Sequence, residues 1–156
     1  MSRSKPESVD LEEQPGFFIR RLQQIAVAIF LEETQAHGIT PVQYAALSAA
    51  QRQPGLDQRT LAATIGFDTS TIGGVIDRLE KRGLIERRAS PTDRRVRLLH
   101  VTPEGARLLD AIVPGMLKAQ QRILAPLPAA DRTRFVEMLK TVVEANNALS
   151  RAPSEI

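Results

Sequence analysis

The chain has 156 residues, enough for one domain with a sizeable core, and because 42% are hydrophobic but only 4% aromatic, that core is aliphatic. The absence of cysteine excludes a disulfide scaffold, a thiol nucleophile, an iron–sulfur cluster and a thiol redox sensor, and two histidines 63 positions apart argue against a His-based metal site. The net charge is only +3, but eight basic and three acidic residues lie between Arg78 and Arg97, so this block carries +5 and the other 136 residues −2.

In chain order, residues 1–14 are polar and expected to be a disordered tail before a single domain at 15–150. Phe18, Leu22, Ile25 and Ile29 fall at helical steps, and Phe17, Val27, Phe30 and Leu31 widen the apolar surface. A helix buried on more than one side is expected at 16–36, ended by Gly38. Thr40-Pro41-Val42-Gln43 reads as a capped helix start, and Pro54-Gly55 ends that helix. Asp57 caps a short helix carrying Leu61, Ala62 and Ile65. After a turn at Gly66-Phe67, Asp68 caps the next helix, which carries Ile72, Val75, Ile76 and Leu79 and ends at Gly83.

The period then changes. Residues 84–88 and 96–101 read as short strands, with turn chemistry at Ser90-Pro91-Thr92-Asp93. Thr102-Pro103 opens a long helix in which Pro114-Gly115 predicts a kink. Pro126 and Pro128 break it before a last helix at about 129–149 with Phe135, Leu139, Val142 and Val143.

Two short helices joined by a glycine turn and followed by a two-stranded hairpin make a winged helix-turn-helix in a mainly α fold, with the winged helix at 40–101. The second of the two helices suits the width of the major groove. Opposite its apolar face it offers Thr69, Ser70, Thr71, Gly73, Gly74, Asp77 and Arg78. Hydroxyls there can bond phosphates or base edges, and Arg78 can reach guanine or phosphate. Gly73-Gly74 costs about 1 kcal/mol per glycine against alanine in a helix interior. The pair serves a close approach to DNA, or is a weakness that good packing tolerates. Arg88, Arg94 and Arg95 make the wing basic, and an arginine at a β-tip can enter a narrow minor groove. Asp93 orients a neighbouring arginine or is a plain turn residue. The whole basic block is a polyanion surface, or a solvated and salt-bridged helix and turn.

Three stretches resemble the MarR family of transcriptional regulators: Asp77-Arg78-Leu79-Glu80-Lys81-Arg82-Gly83-Leu84-Ile85-Glu86-Arg87, then Asp93-Arg94-Arg95, then Leu99-His100-Val101-Thr102-Pro103-Glu104-Gly105. The entry to the second helix, Thr40-Pro41-Val42-Gln43-Tyr44, is similar too, and the likeness runs over about 16–148. The departures are Val101, where many members have leucine, and Pro128, where many have a serine cap. The resemblance implies a homodimer whose helices at 16–36 and 103–149 interleave, and a pseudo-palindromic operator as DNA partner. It gives Arg95 the minor-groove role with Asp93 as support, and Ser70, Thr71 and Arg78 the recognition-helix role. It also implies repression relieved by a small molecule. Family branches that sense oxidants through cysteine are excluded here, and His37 and His100 alone argue against zinc.

The first helix resembles a branch linked to catabolism of aromatic acids, which implies a small aromatic carboxylate or phenol as effector. Arg20, Arg21, Gln24, His37 and Tyr44 are candidate contacts, since an arginine can pair with a carboxylate and Tyr44 or His37 with a ring hydroxyl. The alternatives are surface or dimer ion pairs for the arginines, a core position for Tyr44 and a helix-end position for His37. No nucleophile–base pair, phosphate loop or metal spacing is present, so neither an enzyme nor a cofactor is expected. A ligand-independent or architectural DNA binder is the alternative function. With no long apolar run and no apolar stretch near the N-terminus, a cytoplasmic protein without a membrane partner is expected.

Overall fold

The computed structural model describes residues 9–150. The expected tail therefore lies outside the described residues over 1–8. Residues 11–13 form one turn of 3-10 helix, where the Asp10 carboxylate accepts from the Glu12 amide at 3.1 Å.

Six helices and three short strands follow. Helix α1 spans Pro15–Glu33 and is extended by a 3-10 turn at Gln35–His37, which ends at Gly38 with φ 58°. Helix α2 spans Pro41–Arg52. Its capping box is formed as the sequence predicts: Gln43 N–H donates to Thr40 Oγ1 at 3.2 Å, and Thr40 N–H to Gln43 Oε1 at 3.1 Å. Helix α3, Gln58–Ile65, is capped by Asp57, which accepts from the amide and hydroxyl of Thr60 at 2.7 and 2.9 Å. Helix α4 spans Thr69–Lys81.

Strand β1 is only Leu56–Asp57, β2 is Ile85–Ala89 and β3 is Arg97–Val101. The sheet is antiparallel in the order β1-β3-β2, with Ile85 opposite Val101 and Arg87 opposite Leu99. Strand β1 was not visible in the sequence. Two residues are too few for a period-2 pattern, and Leu56 pairs only because Leu99 is brought beside it.

Helix α5, Pro103–Leu124, runs continuously through Pro114. Pro114 is on the exposed side, where water can serve the carbonyl that loses its amide partner. Gly115 has a packing role. A Cβ at Gly115 would lie 2.5 Å from the carbonyl oxygen of Glu33, so glycine lets α5 pass directly over the end of α1. At the other end of α5, a Cβ at Gly105 would overlap the Leu84 carbonyl oxygen. Thr102 fixes that junction by donating its hydroxyl to Gly83 O at 2.6 Å and accepting from Gly105 N–H at 3.0 Å.

The core lies within the winged helix. Leu47, Leu61, Ile72, Ile76, Leu79, Ile85 and Leu99 are fully buried, joined by Ile112 from α5. Helix α6, Ala129–Asn146, buries no residue at all. Phe18, Ile19, Leu117, Met138, Val142 and Val143, all on α1, α5 and α6, are more than half exposed. Among the described residues no helix is long and apolar enough to cross a membrane.

Candidate nucleic-acid interface

Helix α4 has two unlike faces. Ile72, Val75, Ile76 and Leu79 are at most 5% exposed and anchor it to the core. Thr69, Ser70, Thr71, Gly74 and Arg78 lie on the exposed face. Its N-terminus is fixed by Asp68, whose carboxylate accepts from Ser70 N–H at 2.8 Å and whose carbonyl accepts from the Thr71 hydroxyl at 3.1 Å. Nothing lies within 4 Å of a Cβ built on Gly74, whereas one on Gly73 meets the amide end of Gln58 at 3.3 Å. Packing inside the protein therefore does not require glycine at position 74.

The wing is the turn between β2 and β3. Ser90 Oγ accepts from Thr92 and Asp93 amides, and Val96 N–H donates to Asp93 O at 3.1 Å. Asp93 Oδ1 accepts from the backbone N–H of Arg95 at 3.0 Å and from its Nε at 3.4 Å. The Arg95 side chain is nevertheless 92% exposed. Asp93 thus both closes the turn and steers Arg95 outward, so the two roles considered for it are compatible. Arg94 is exposed and makes no hydrogen bond or ion pair among the described residues.

The basic block divides into engaged and available groups. Arg87 is engaged: its guanidinium meets Asp77 at 2.7 Å, Glu80 at 3.1 Å and Gln58 at 3.3 Å, which ties β2 to α3 and α4. Asp77, read from the sequence as part of the open face, is held in that cluster. Arg82 donates to the carbonyls of His37 and Gly38 at 2.9 and 2.8 Å. Arg88 pairs with Glu86 on its own strand. Arg78, Lys81, Arg94 and Arg97 make no bond to other described groups, and Arg95 has only Asp93.

Two further residues join the surface. A groove of about 430 Å³ between α3 and the wing is lined by Asp57, Gln58, Arg59, Arg95, Val96 and Arg97. Sequence reasoning did not single out Arg59, and it counted Arg97 only as part of the basic block. Arg59 lies outside the basic block, and only the β1–β3 pairing brings it beside the wing. The arrangement is a polar helix face flanked by unpaired guanidinium groups, which can bond phosphate oxygens and base edges.

The candidate effector contacts do not form one pocket within a chain. Arg21 donates to Gln24 at 2.9 Å, and Arg20 stacks over Phe17 at 5.7 Å from the ring centroid, both in the first half of α1. Tyr44 packs against Phe30 with centroids 5.8 Å apart, beyond the second half. Arg20 and Phe30 are ten residues apart on one helix, about 15 Å along its axis. His37 is half-buried in the 3-10 turn. Near the first group, Phe18, Ile19, Leu22 and Ile25 of α1 and Phe135 and Leu139 of α6 line an apolar cavity of about 440 Å³, with Arg21 on its wall.

Comparison with known proteins agrees with this geometry. The MarR family pattern matches residues 37–96. A protein of Thauera aromatica named for regulation of the hcr operon is 37% identical over 147 residues, covering 88% of this chain and 89% of that one. The PcaV transcriptional regulator of Streptomyces coelicolor, solved with its natural ligand, superposes with TM-score 0.81 at 38% identity, over 88% of this chain and 97% of that one. BpsR of Bordetella bronchiseptica, whose DNA binding is regulated by 6-hydroxynicotinic acid, superposes with TM-score 0.81 at 30% identity, over 86% and 96%. A polar exposed face on α4, a wing arginine bonded to an aspartate, and relatives aligned over nearly their whole length lead to one conclusion: the chain belongs to the MarR family of transcriptional regulators.

Proposed function

We propose that this protein is a cytoplasmic homodimeric repressor that binds a pseudo-palindromic operator and releases it when a small aromatic carboxylate binds. It acts by binding alone, without a chemical step, metal or cofactor. The observation that carries the reading is the pairing of an unobstructed polar face on α4 with Arg95, 92% exposed yet steered by Asp93. Helix α4 enters the major groove with Ser70, Thr71 and Arg78 toward the bases, and Arg95 enters the adjacent minor groove. Arg94 and Arg97 bind the flanking phosphates.

The dimer follows from α6. A helix of 18 residues with no fully buried residue in its own chain gains stability by covering its apolar face, and a second copy with the same face satisfies a two-fold axis. For the effector, the support is an arginine beside an apolar cavity, Arg21 with Phe18 and Phe135, which suits a ring with a carboxylate. The relative regulated by 6-hydroxynicotinic acid supports the same chemical class. Tyr44 and His37 reach such a ligand only if the partner protomer brings them to the other end of α1.

The test is selection of duplexes from a randomised pool, followed by titration with benzoate- and nicotinate-like acids. A two-fold symmetric site released by one of these acids is expected. Steep salt dependence without sequence preference would instead identify a ligand-independent architectural binder.

A further inference from the structure

We propose that Arg82 is a positioning residue that sets the tilt and separation of the two recognition helices in the dimer. The proposal rests on the homodimeric reading above.

Arg82 is the C-cap residue of α4, and the chain turns away immediately after it at Gly83, where φ is 71°. Its guanidinium reaches 44 residues back along the sequence. One terminal nitrogen donates to Gly38 O at 2.8 Å and the other to His37 O at 2.9 Å. These are the last carbonyls of the 3-10 turn that extends α1, where partial negative charge collects at a helix end. A planar guanidinium donating to two adjacent carbonyls fixes both distance and orientation, which a single point charge does not.

The accepting segment is itself held. Just before it, Glu33 Oε1 accepts from Arg122 at 2.6 Å and Oε2 meets Lys118 at 3.2 Å. The Glu33 carbonyl lies against Gly115 of α5, and the buried Thr34 hydroxyl donates to Phe30 O at 2.7 Å. Residues 33–38 are therefore clamped to α5 on one side and to the end of α4 on the other. Apart from the shared apolar core, which Ile112 of α5 also enters, α4 packs mainly on α2, α3 and β2, and the Arg87 cluster stays within the winged helix. Arg82 provides the polar bond from the recognition helix to the helices that carry the unpartnered apolar surface.

The lever is long. Ser70 lies twelve residues before Arg82, about 18 Å along α4, so a tilt of about 10° at Arg82 moves the N-terminal contacts by about 3 Å, close to one base-pair step. Small freedom at this bond becomes a mismatch with successive major grooves.

The chain has no cysteine, so Ser70→Cys gives a single spin-label site per protomer and one inter-protomer distance on α4. The distribution of that distance, by pulsed electron resonance on the full-length dimer without DNA, is expected to broaden at least about twofold in Arg82→Met. Arg82→Lys, which keeps the charge and loses the fork, should broaden it similarly. In unlabelled protein with the native Ser70, the salt slope of binding to random-sequence duplex should be unchanged by Arg82→Lys. An intact dimer whose distribution stays narrow in Arg82→Met overturns the positioning role, as does full rescue by lysine. Absence of any inter-protomer distance in the parent overturns the homodimer and this proposal with it.

Discussion

Gly74→Ala separates what the fold wants from what the interface wants. The added methyl meets nothing within 4 Å inside the protein, so no packing cost opposes it. Alanine in place of glycine in a helix interior gains about 1 kcal/mol from backbone entropy. For a chain of this length that raises the melting temperature by about 2–4 °C. Position 74 lies on the exposed face, one turn beyond Ser70, where α4 is proposed to lie against the base edges. A methyl driven into a close-packed contact costs about 1–3 kcal/mol, a loss of about 5- to 150-fold in operator affinity. The two effects have opposite signs, so reduced affinity cannot be a by-product of unfolding. Thermal unfolding and fluorescence anisotropy with a selected duplex at fixed salt read them separately. A variant that melts higher and binds DNA as well as the parent would refute the close-approach reasoning, leaving Gly74 as a tolerated weakness. Gly73→Ala should gain less stability, since its methyl crowds the Gln58 amide at 3.3 Å.

Further outcomes follow from the same geometry. Arg95→Ala should weaken operator binding by about tenfold or more without moving the melting temperature, because its side chain touches only Asp93; unchanged affinity, measured by anisotropy, removes Arg95 from the minor groove. Gly105→Ala should cost about 3 kcal/mol or prevent folding, since the new Cβ overlaps the Leu84 carbonyl, as read by urea unfolding. Val142→Asp should convert the protein to monomers in sedimentation experiments and weaken operator binding, because the exposed apolar face of α6 would carry an unpaired charge. The hydrogen bond from Arg122, aided by Lys118 and opposed by desolvation, holds the Glu33 carboxyl below its ordinary value of 4.5. A depressed carboxylate stabilises the fold above its unfolded pKa and loses that contribution as pH falls through its folded one. The stability gap between the parent and Glu33→Gln should therefore be full near neutrality and close on acidification below about 4.5.

Much of the architecture is written in local residue patterns. The period of Ile72, Val75, Ile76 and Leu79 places α4, and Asp68 and Gly83 bound it, because an apolar stripe and its caps act within one helix. The capping box of α2 and the turn at Ser90–Asp93 are local for the same reason. The exposed polar face of α4 follows by elimination once the buried stripe is known. Charge counting, by contrast, does not show which of these groups already have partners. Eight basic residues fall between Arg78 and Arg97, yet Arg82, Arg87 and Arg88 are engaged with carbonyls or carboxylates, two of them with groups far away in sequence.

The amino-acid pattern alone determined the order of the helices and of the two wing strands, the core face of α4 and the family resemblance, since these rest on contacts between near neighbours or on residue identity. Only the tertiary structure decided which basic side chains already have partners within the chain, that Arg59 joins the wing groove, and that Gly115 is a close contact between α1 and α5. It also separated Arg20 and Arg21 from Tyr44 by about half the length of α1. Each of these depends on groups distant in sequence meeting in space, and such meetings are set by how the whole chain packs.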